Sequence, residues 1–334
     1  MSSNKKTIVV FGATGNQGAS VAHTFLALPN WHVRAVTRNP SSPAAEALST
    51  RGAEVVKADL SSASSLPAVL ANATAIFLNT DFWETYRSPN AAEYASKVSF
   101  EREVSHGKNA AIAAADVPSL EVLVYSALGP MKRASKGKYR NSYHWESKAA
   151  IVDYIEHEQP ALAKKFSVIY PGAYNTNALL TPRLDPASGT YQFVVPMAAE
   201  ARMPIYDPKA STGPFVRALI EGEKPGTKLL AYDQDSYLSM KEVVAVWSKV
   251  SGQTVEFVEV SAEFMNKKLG IPVEVLDAPG FILEFGYMGG IEGWIEPGQL
   301  KMKTETKSFE KWLGEKDLKE LLSAAGGEMK SVRK

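Results

Sequence analysis

No cysteine occurs anywhere in the chain. Disulfides, thiolate metal sites, cysteine nucleophiles and thiol switches are excluded with it, so any redox response has to run through a bound group. Long apolar runs are missing as well: none approaches the roughly 18 residues that a membrane helix needs. The opening Met1-Ser-Ser-Asn-Lys-Lys6 leads into only five apolar-leaning residues before Gly12, too few for the core of a secretory signal. The expectation is a soluble intracellular protein, cytoplasmic or nuclear, with no membrane partner. Charge of one sign is also absent. Lys and Arg number 37 against 36 Asp and Glu, a formal net charge of +1, so no global field favours nucleic acid. No cluster of His, Asp and Glu has metal-ligand spacing, and no metal is expected.

What is present is an ordinary globular composition of 334 residues, 45% hydrophobic and 22% charged. That suffices for one large α/β domain or two unequal ones. Thr7 to Phe11 is a short apolar run ended by glycine, as expected of a parallel strand buried on both faces. Apolar residues at helical spacing follow from Gly15 to Leu28. Further strands are expected at His32–Thr37, Glu54–Lys57, Ala75–Asn79, Glu121–Tyr125, Phe166–Tyr170 and Lys228–Tyr232. Helices are expected at Pro43–Arg51, Ser62–Leu70, Ser96–Ala115 and Trp145–His157. This alternation indicates an α/β fold with a doubly wound parallel sheet. The irregular stretches 174–204 and 253–301 are expected to form a smaller domain above the strand ends, where ligands of such sheets sit.

The turn after the first strand reads Gly12-Ala-Thr14-Gly15-Asn16-Gln17-Gly18. Gly12 permits a tight turn, Gly15 lets the backbone approach a pyrophosphate, and Gly18 lets helix and strand pack closely. Free N–H groups and the helix dipole would then hold phosphates. The second strand ends Thr37-Arg38-Asn39-Pro40, with no acid beside it in sequence. NAD sites usually carry a carboxylate there for the ribose 2′-OH, whereas an arginine suits the 2′-phosphate of NADP. NADP(H) is therefore the expected cofactor. Asp59, Asn79 and Thr80 follow strand ends facing the same crevice; Asp59 serves equally well as a helix N-cap.

These segments resemble the NmrA-like family of atypical short-chain dehydrogenase/reductases. The resemblance runs through Gly12–Ser20, Val36–Pro40, Gly52–Val56, Asn79–Glu84, Val124–Gly129, His144–Lys148, Pro171–Tyr174 and Lys268–Pro272, and is nearest to the NADPH-sensing members. It implies a Rossmann domain, 1–173 plus about 204–250, and a smaller discontinuous α+β domain, about 174–203 plus 251–303. Residues 304–334 would be a C-terminal helix and tail. It also brings two functional precedents, non-catalytic dinucleotide sensors and NADPH-dependent reductases.

The usual catalytic pair in short-chain dehydrogenases is Tyr-x-x-x-Lys on one helix face beside a serine. Here Ser126 and Lys148 occupy the serine and lysine places, but His144 stands four residues before Lys148. Tyr143 would point about 140° away from Lys148 by helical geometry. Three roles compete. Lys148 binds the ribose with no proton donor, as in a sensor; His144 is the acid; or Lys148 itself moves the proton, as the isoflavone-reductase-like branch suggests. Trp83 and Tyr174, which follow strand ends, are candidates for a substrate pocket, Tyr174 also for the cofactor. Five basic residues within Met131–Arg140 read either as a solvated loop or as a flap over an anion. The two readings are an NADPH-dependent oxidoreductase for a small carbonyl, enone or quinone, and a redox sensor acting on a regulatory protein partner.

Overall fold

The computed structural model describes residues 5–88 and 95–323. The first residues of the N-terminal segment weighed above, and the tail beyond 323, lie outside them. The chain begins β1 (Lys6–Val10), α1 (Asn16–Leu26), β2 (Trp31–Thr37), α2 (Pro43–Thr50), β3 (Glu54–Lys57), α3 (Leu66–Leu70) and β4 (Ala75–Leu78). It continues through α4 (Trp83–Tyr86), α5 (Ala95–Ala115), β5 (Val122–Ser126), α6 (Met131–Ala134), α7 (Tyr143–Glu158), α8 (Pro160–Ala163) and β6 (Phe166–Pro171). Next come β7 (Ala173–Tyr174), β8 (Arg183–Leu184), β9 (Tyr191–Val195), β10 (Arg202–Tyr206), α9 (Thr212–Arg217), β11 (Lys228–Ala231) and β12 (Tyr237–Ser239). The last are α10 (Met240–Ser251), β13 (Val255–Glu259), α11 (Ala262–Leu269), α12 (Val273–Phe285), β14 (Trp294–Ile295) and α13 (Phe309–Gly314).

Eight strands form one parallel sheet in the order β14-β11-β6-β5-β4-β1-β2-β3. The order reverses between β1 and β4, which makes the crevice above their carboxyl ends the expected ligand place. Alternate side chains feed two cores. Ile8, Val10 and Phe77 join one cluster with Val21 and Phe25 of α1 and Phe215 of α9. Val9, Ile76 and Leu123 join the other with Ala110 of α5 and Ile151 of α7. Burial on both faces explains why β4, and β5 up to its closing Ser126, run almost wholly apolar rather than alternating.

Small residues decide how near the covering helices come. A Cβ on Gly107 of α5 would lie 2.5 Å from the Ile151 side chain of α7. One on Gly213 of α9 would lie 2.0 Å from Thr24 Oγ1 and 2.3 Å from Ser20 O of α1.

A third core lies outside the large sheet, between the three-stranded sheets β12-β10-β7 and β13-β9-β8. It contains Leu180, Phe193, Met203, Ile205, Met240, Val243, Trp247, Phe309 and Trp312. Its composition departs from the division expected above. Helix α10, assigned to the sheet domain, and α13, assigned to a separate tail, both pack here, with Trp247 Nε1 donating to Leu180 O at 2.9 Å. Strand β14, assigned to the small domain, instead pairs with β11 at the edge of the large sheet. An amphipathic pattern reveals that a helix buries a face but not against which neighbour. Among the described residues no helix is long and apolar enough to cross a membrane.

Gly213→Ala should cost about 1–3 kcal/mol by overpacking the α1–α9 contact. Gly298→Ala, at a position where a Cβ meets nothing within 4 Å, should leave Tm unchanged. Equal Tm values for the two variants in thermal unfolding would contradict the close-approach account.

Candidate functional site

The site is built on the turn between β1 and α1. Gly12 has φ +64°, a left-handed conformation that glycine adopts without strain. A Cβ on Gly18 would come within 2.1 Å of Gly12 O, and one on Gly15 within 3.3 Å of the same oxygen. Gly15 is the N-cap of α1, with no side-chain cap and no acid in the first turn. Thr14, Gly15 and Asn16 lie exposed at this end, while Gln17 and Gly18 are buried. The helix start thus presents its amides and dipole to the crevice without a competing carboxylate.

Beside this turn lies a cavity of about 300 Å³, at the lower end of the roughly 300–1,000 Å³ range of ligand pockets. Gly12, Thr14, Arg38, Asp59 and Asn79 line it together with Val36, Asp81, Glu84 and His106. Five of the twelve residues singled out from the sequence for a cofactor therefore line one space, while Gly15, Asn16, Gln17, Gly18, Thr80, Lys148 and Tyr174 do not line it. Asp59 also turns its own loop: its Oδ1 accepts from Ser61 N at 2.8 Å, and that bond leads in holding its carboxyl below the usual range. The acid absent beside Arg38 in sequence arrives from elsewhere. Glu84 of α4 hydrogen-bonds Arg38, and this bond, with the charges of Glu84, Asp59 and Asp81, raises the guanidinium pKa. Burial and then Arg102 lower the pKa of His106, whose Nε2 has no hydrogen-bond partner.

Farther along the crevice Lys148 is held from three sides. Its Nζ donates to Thr80 O at 2.9 Å, to Thr80 Oγ1 at 3.2 Å and to Glu103 Oε1 at 2.9 Å. Thr80 Oγ1 donates to Glu103 Oε1 at 2.6 Å and lies 2.9 Å from Tyr125 OH; Ser147 Oγ donates to Glu103 Oε2. The Glu103 side chain is 0% exposed and that of Lys148 14%. An ammonium has three donors, and here all three have acceptors within the protein. In this arrangement Lys148 and Thr80 are members of a buried network and not free groups facing a ligand. Sequence reasoning missed Glu103. A signal was there: Glu103 falls on the same helical face as Gly107, Ala110 and Ala114 of α5, all buried.

His144 lies in the first turn of α7, its ring 4.9 Å from Trp83 and 6.0 Å from Phe82. Burial first, and then the Lys148 charge, push its pKa down to about 3, and Nδ1 has no partner. An imidazole so placed is neutral at pH 7 and keeps a single ring N–H as its donor. The Tyr143 ring packs edge-on against Phe100, with 6.2 Å between centroids. Ser126 is buried at the end of β5 and takes no part in the Lys148 network. Trp83 packs with Phe82, Tyr86 and His144, with the Arg87 guanidinium 5.4 Å from its ring centroid. Tyr174 is partly buried and accepts from Gln17 Nε2 at 2.6 Å, tying the glycine turn to β7. Gln17 Oε1, also buried, has no partner.

The basic stretch Met131–Arg140 is not a free flap. Its start is helix α6, Arg133 pairs with Asp153 at 2.6 Å, and Lys138 and Tyr139 both bond Glu284 of α12. Among the described residues no group of three or more His, Cys, Asp or Glu is placed to hold a metal.

A parallel sheet with a glycine turn at its switch point defines a Rossmann-type α/β protein. Residues 4–313 match the model of the NmrA-like family, and the chain belongs to that family. One relative, the NmrA-like family domain-containing oxidoreductase ptmS of Penicillium ochrochloron, is 26% identical over 273 residues, 77% of this chain and 76% of its own. Another of the same description, hkm9 of Aspergillus hancockii, is 39% identical over 95 residues, only 28% of either chain. Among solved structures, the negative transcriptional regulator NmrA superposes with a TM-score of 0.70 at 21% identity, over 97% of this chain and 98% of that one. NmrA has been solved with NAD and with NADP. Leucoanthocyanidin reductase of Vitis vinifera, solved with NADPH, has a TM-score of 0.68 at 18% identity, over 93% and 99%. At these identities the structural likeness shows the fold.

Removing Lys148 alone strands a buried carboxylate, so Lys148→Met should lower stability by about 3–5 kcal/mol. Lys148→Met combined with Glu103→Gln, which removes both charges, should recover much of that loss in denaturant unfolding. Additive losses would mean that the pair is not coupled.

Proposed function

We propose that the protein binds a nicotinamide dinucleotide across the glycine turn, holds NADP(H) through Arg38, and is an oxidoreductase for a small carbonyl, enone or quinone. The observation that carries this reading is the continuity of the turn with the cavity. A backbone bare of side chains at Gly12, Gly15 and Gly18 opens onto a space walled by Arg38, Asp59 and Asn79. The pyrophosphate would meet the amides of α1, the adenosine half the cavity, and the other half the Lys148 network and Tyr174. The oxidoreductase names of the fungal relatives support the activity.

When bound, the reduced nicotinamide supplies a hydride to the substrate. The chain's own part is to place that substrate and its proton. The aromatic group of Trp83, Phe82 and Tyr86 offers an apolar wall suited to a flat, weakly polar molecule. Ser126 would orient the reacting oxygen, and the Lys148 charge, fixed by Glu103, would lower the energy of negative charge developing there. With every donor of Lys148 engaged, the proton in this scheme comes from water or from the ring N–H of neutral His144.

That same engagement of Lys148 favours a second reading, a sensor whose occupancy by NADPH or NADP⁺ biases contact with a protein partner. Such a device requires the two dinucleotides to favour different conformations.

NADPH deuterated at the nicotinamide C4, prepared separately for each face, separates the readings. Incubated with a metabolite and quinone extract, the wild-type protein should yield deuterated products by mass spectrometry. Lys148→Met with Glu103→Gln, folded but without the charge, should be slower by about 10²-fold or more. Tight NADPH binding without label transfer from a live extract would contradict the oxidoreductase and leave the sensor.

A further inference from the structure

The rim of the cavity carries one guanidinium and three carboxylates: Arg38 faces Asp59, Asp81 and Glu84. Two of the three acids have backbone duties. Asp59 holds Ser61 N, and Asp81 Oδ1 accepts from Trp83 N at 2.8 Å and Glu84 N at 3.2 Å, which fixes the start of α4. Glu84 has no such duty, and its carboxylate turns outward onto Arg38. A carboxylate near the end of β2 is what holds a ribose 2′-OH, and a guanidinium there is what holds a 2′-phosphate. Here both groups occupy the rim and are bonded to each other.

We infer that Glu84 sets the choice between dinucleotides: it accepts the 2′-OH of NAD(H) and withholds Arg38 from the 2′-phosphate of NADP(H), so that the wild-type protein takes both. The inference rests on the dinucleotide reading above. A dianionic phosphate entering beside three carboxylates meets like charge, and it gains Arg38 only by displacing Glu84. Displacement is open to it because the pair is solvent-exposed, 60% for Arg38 and 46% for Glu84, and exposed pairs are held weakly. The 2′-OH of NAD(H) has no such contest, since it donates to a carboxylate already in place. The arginine that points to NADP when the sequence is read alone thus acts together with an acid 46 positions away.

The test is a pair of titrations, NADPH and NADH, followed by nicotinamide fluorescence with the full-length wild-type protein, Glu84→Gln and Arg38→Ala. Thermal unfolding of each variant reports the fold, and both side chains are exposed enough to be replaced without loss of core. Wild type should bind the two dinucleotides within about tenfold of each other, a difference of about 1.4 kcal/mol. Glu84→Gln should shift the ratio toward NADPH by about tenfold or more, through tighter NADPH and weaker NADH. Arg38→Ala should shift it the other way. An unmoved ratio in a stable Glu84→Gln, or a wild-type preference for NADPH beyond about 100-fold, would overturn the inference while leaving dinucleotide binding intact. Failure of wild type to bind either one would remove the dinucleotide reading and this inference with it.

Discussion

The nearness of Gly18 to the carbonyl of Gly12 is the contact on which the crevice depends. With the Cα of Gly18 so close to that oxygen, no side chain fits between the end of β1 and the start of α1. The helix can then begin directly over the strand, with its first amides aimed along the crevice. Neighbouring contacts preserve that placement. Phe11 N bonds Phe77 O at 2.9 Å, binding the turn to β4, and Gln17 reaches Tyr174 on β7. Gly213 lets α9 lie against α1 from outside. The glycines act as spacers, and the apolar strands supply the force that presses the elements together.

Charge in the crevice centres on two ion pairs, with Asp59 and Asp81 as further carboxylates beside the outer one. At one end Arg38 is matched by Glu84; farther along Lys148 is matched by Glu103, with Thr80 and Ser147 completing the bonds. The two pairs differ in kind. The outer one is exposed and exchangeable. The inner one is buried and fully bonded, so it ties the turn after β4 to α5 and α7, and breaking it is costly. An incoming anion can therefore compete for Arg38 far more readily than for Lys148. His144 follows from the same logic: packed between aromatic rings and near an ammonium, it stays neutral.

The sheet was legible from β1 through β6 because β1, β4, β5 and β6 are short, mainly apolar runs and β2 and β3 keep apolar residues between polar ones, with helical apolar spacing in α1, α2, α5 and α7 between them. The glycine turn was legible for a reason of its own, since the backbone needs glycine at three particular places. What could not be read were the partners. Glu84 lies 46 positions from Arg38 and Glu103 lies 45 from Lys148. Neither pairing leaves a trace in local spacing, although the small-residue face of α5 marked Glu103 as facing inward. The same limit moved α10 and α13 to the third core. His144 was recognised as the residue in the tyrosine's place, but its protonation depends on Phe82, Trp83 and Lys148 around it, which spacing alone does not supply.

On the proposed function the Gly12–Gly18 turn is a dinucleotide seat. Calorimetric titration of NADPH into wild type and Gly15→Ala tests it most directly, because a Cβ at Gly15 meets only Gly12 O, at 3.3 Å, and disturbs the fold far less than one at Gly18. Wild type should show saturable one-site binding, and the variant binding weaker by about tenfold or more, with Tm nearly preserved. Equal affinities in two equally folded proteins would place the ligand elsewhere and contradict that reading.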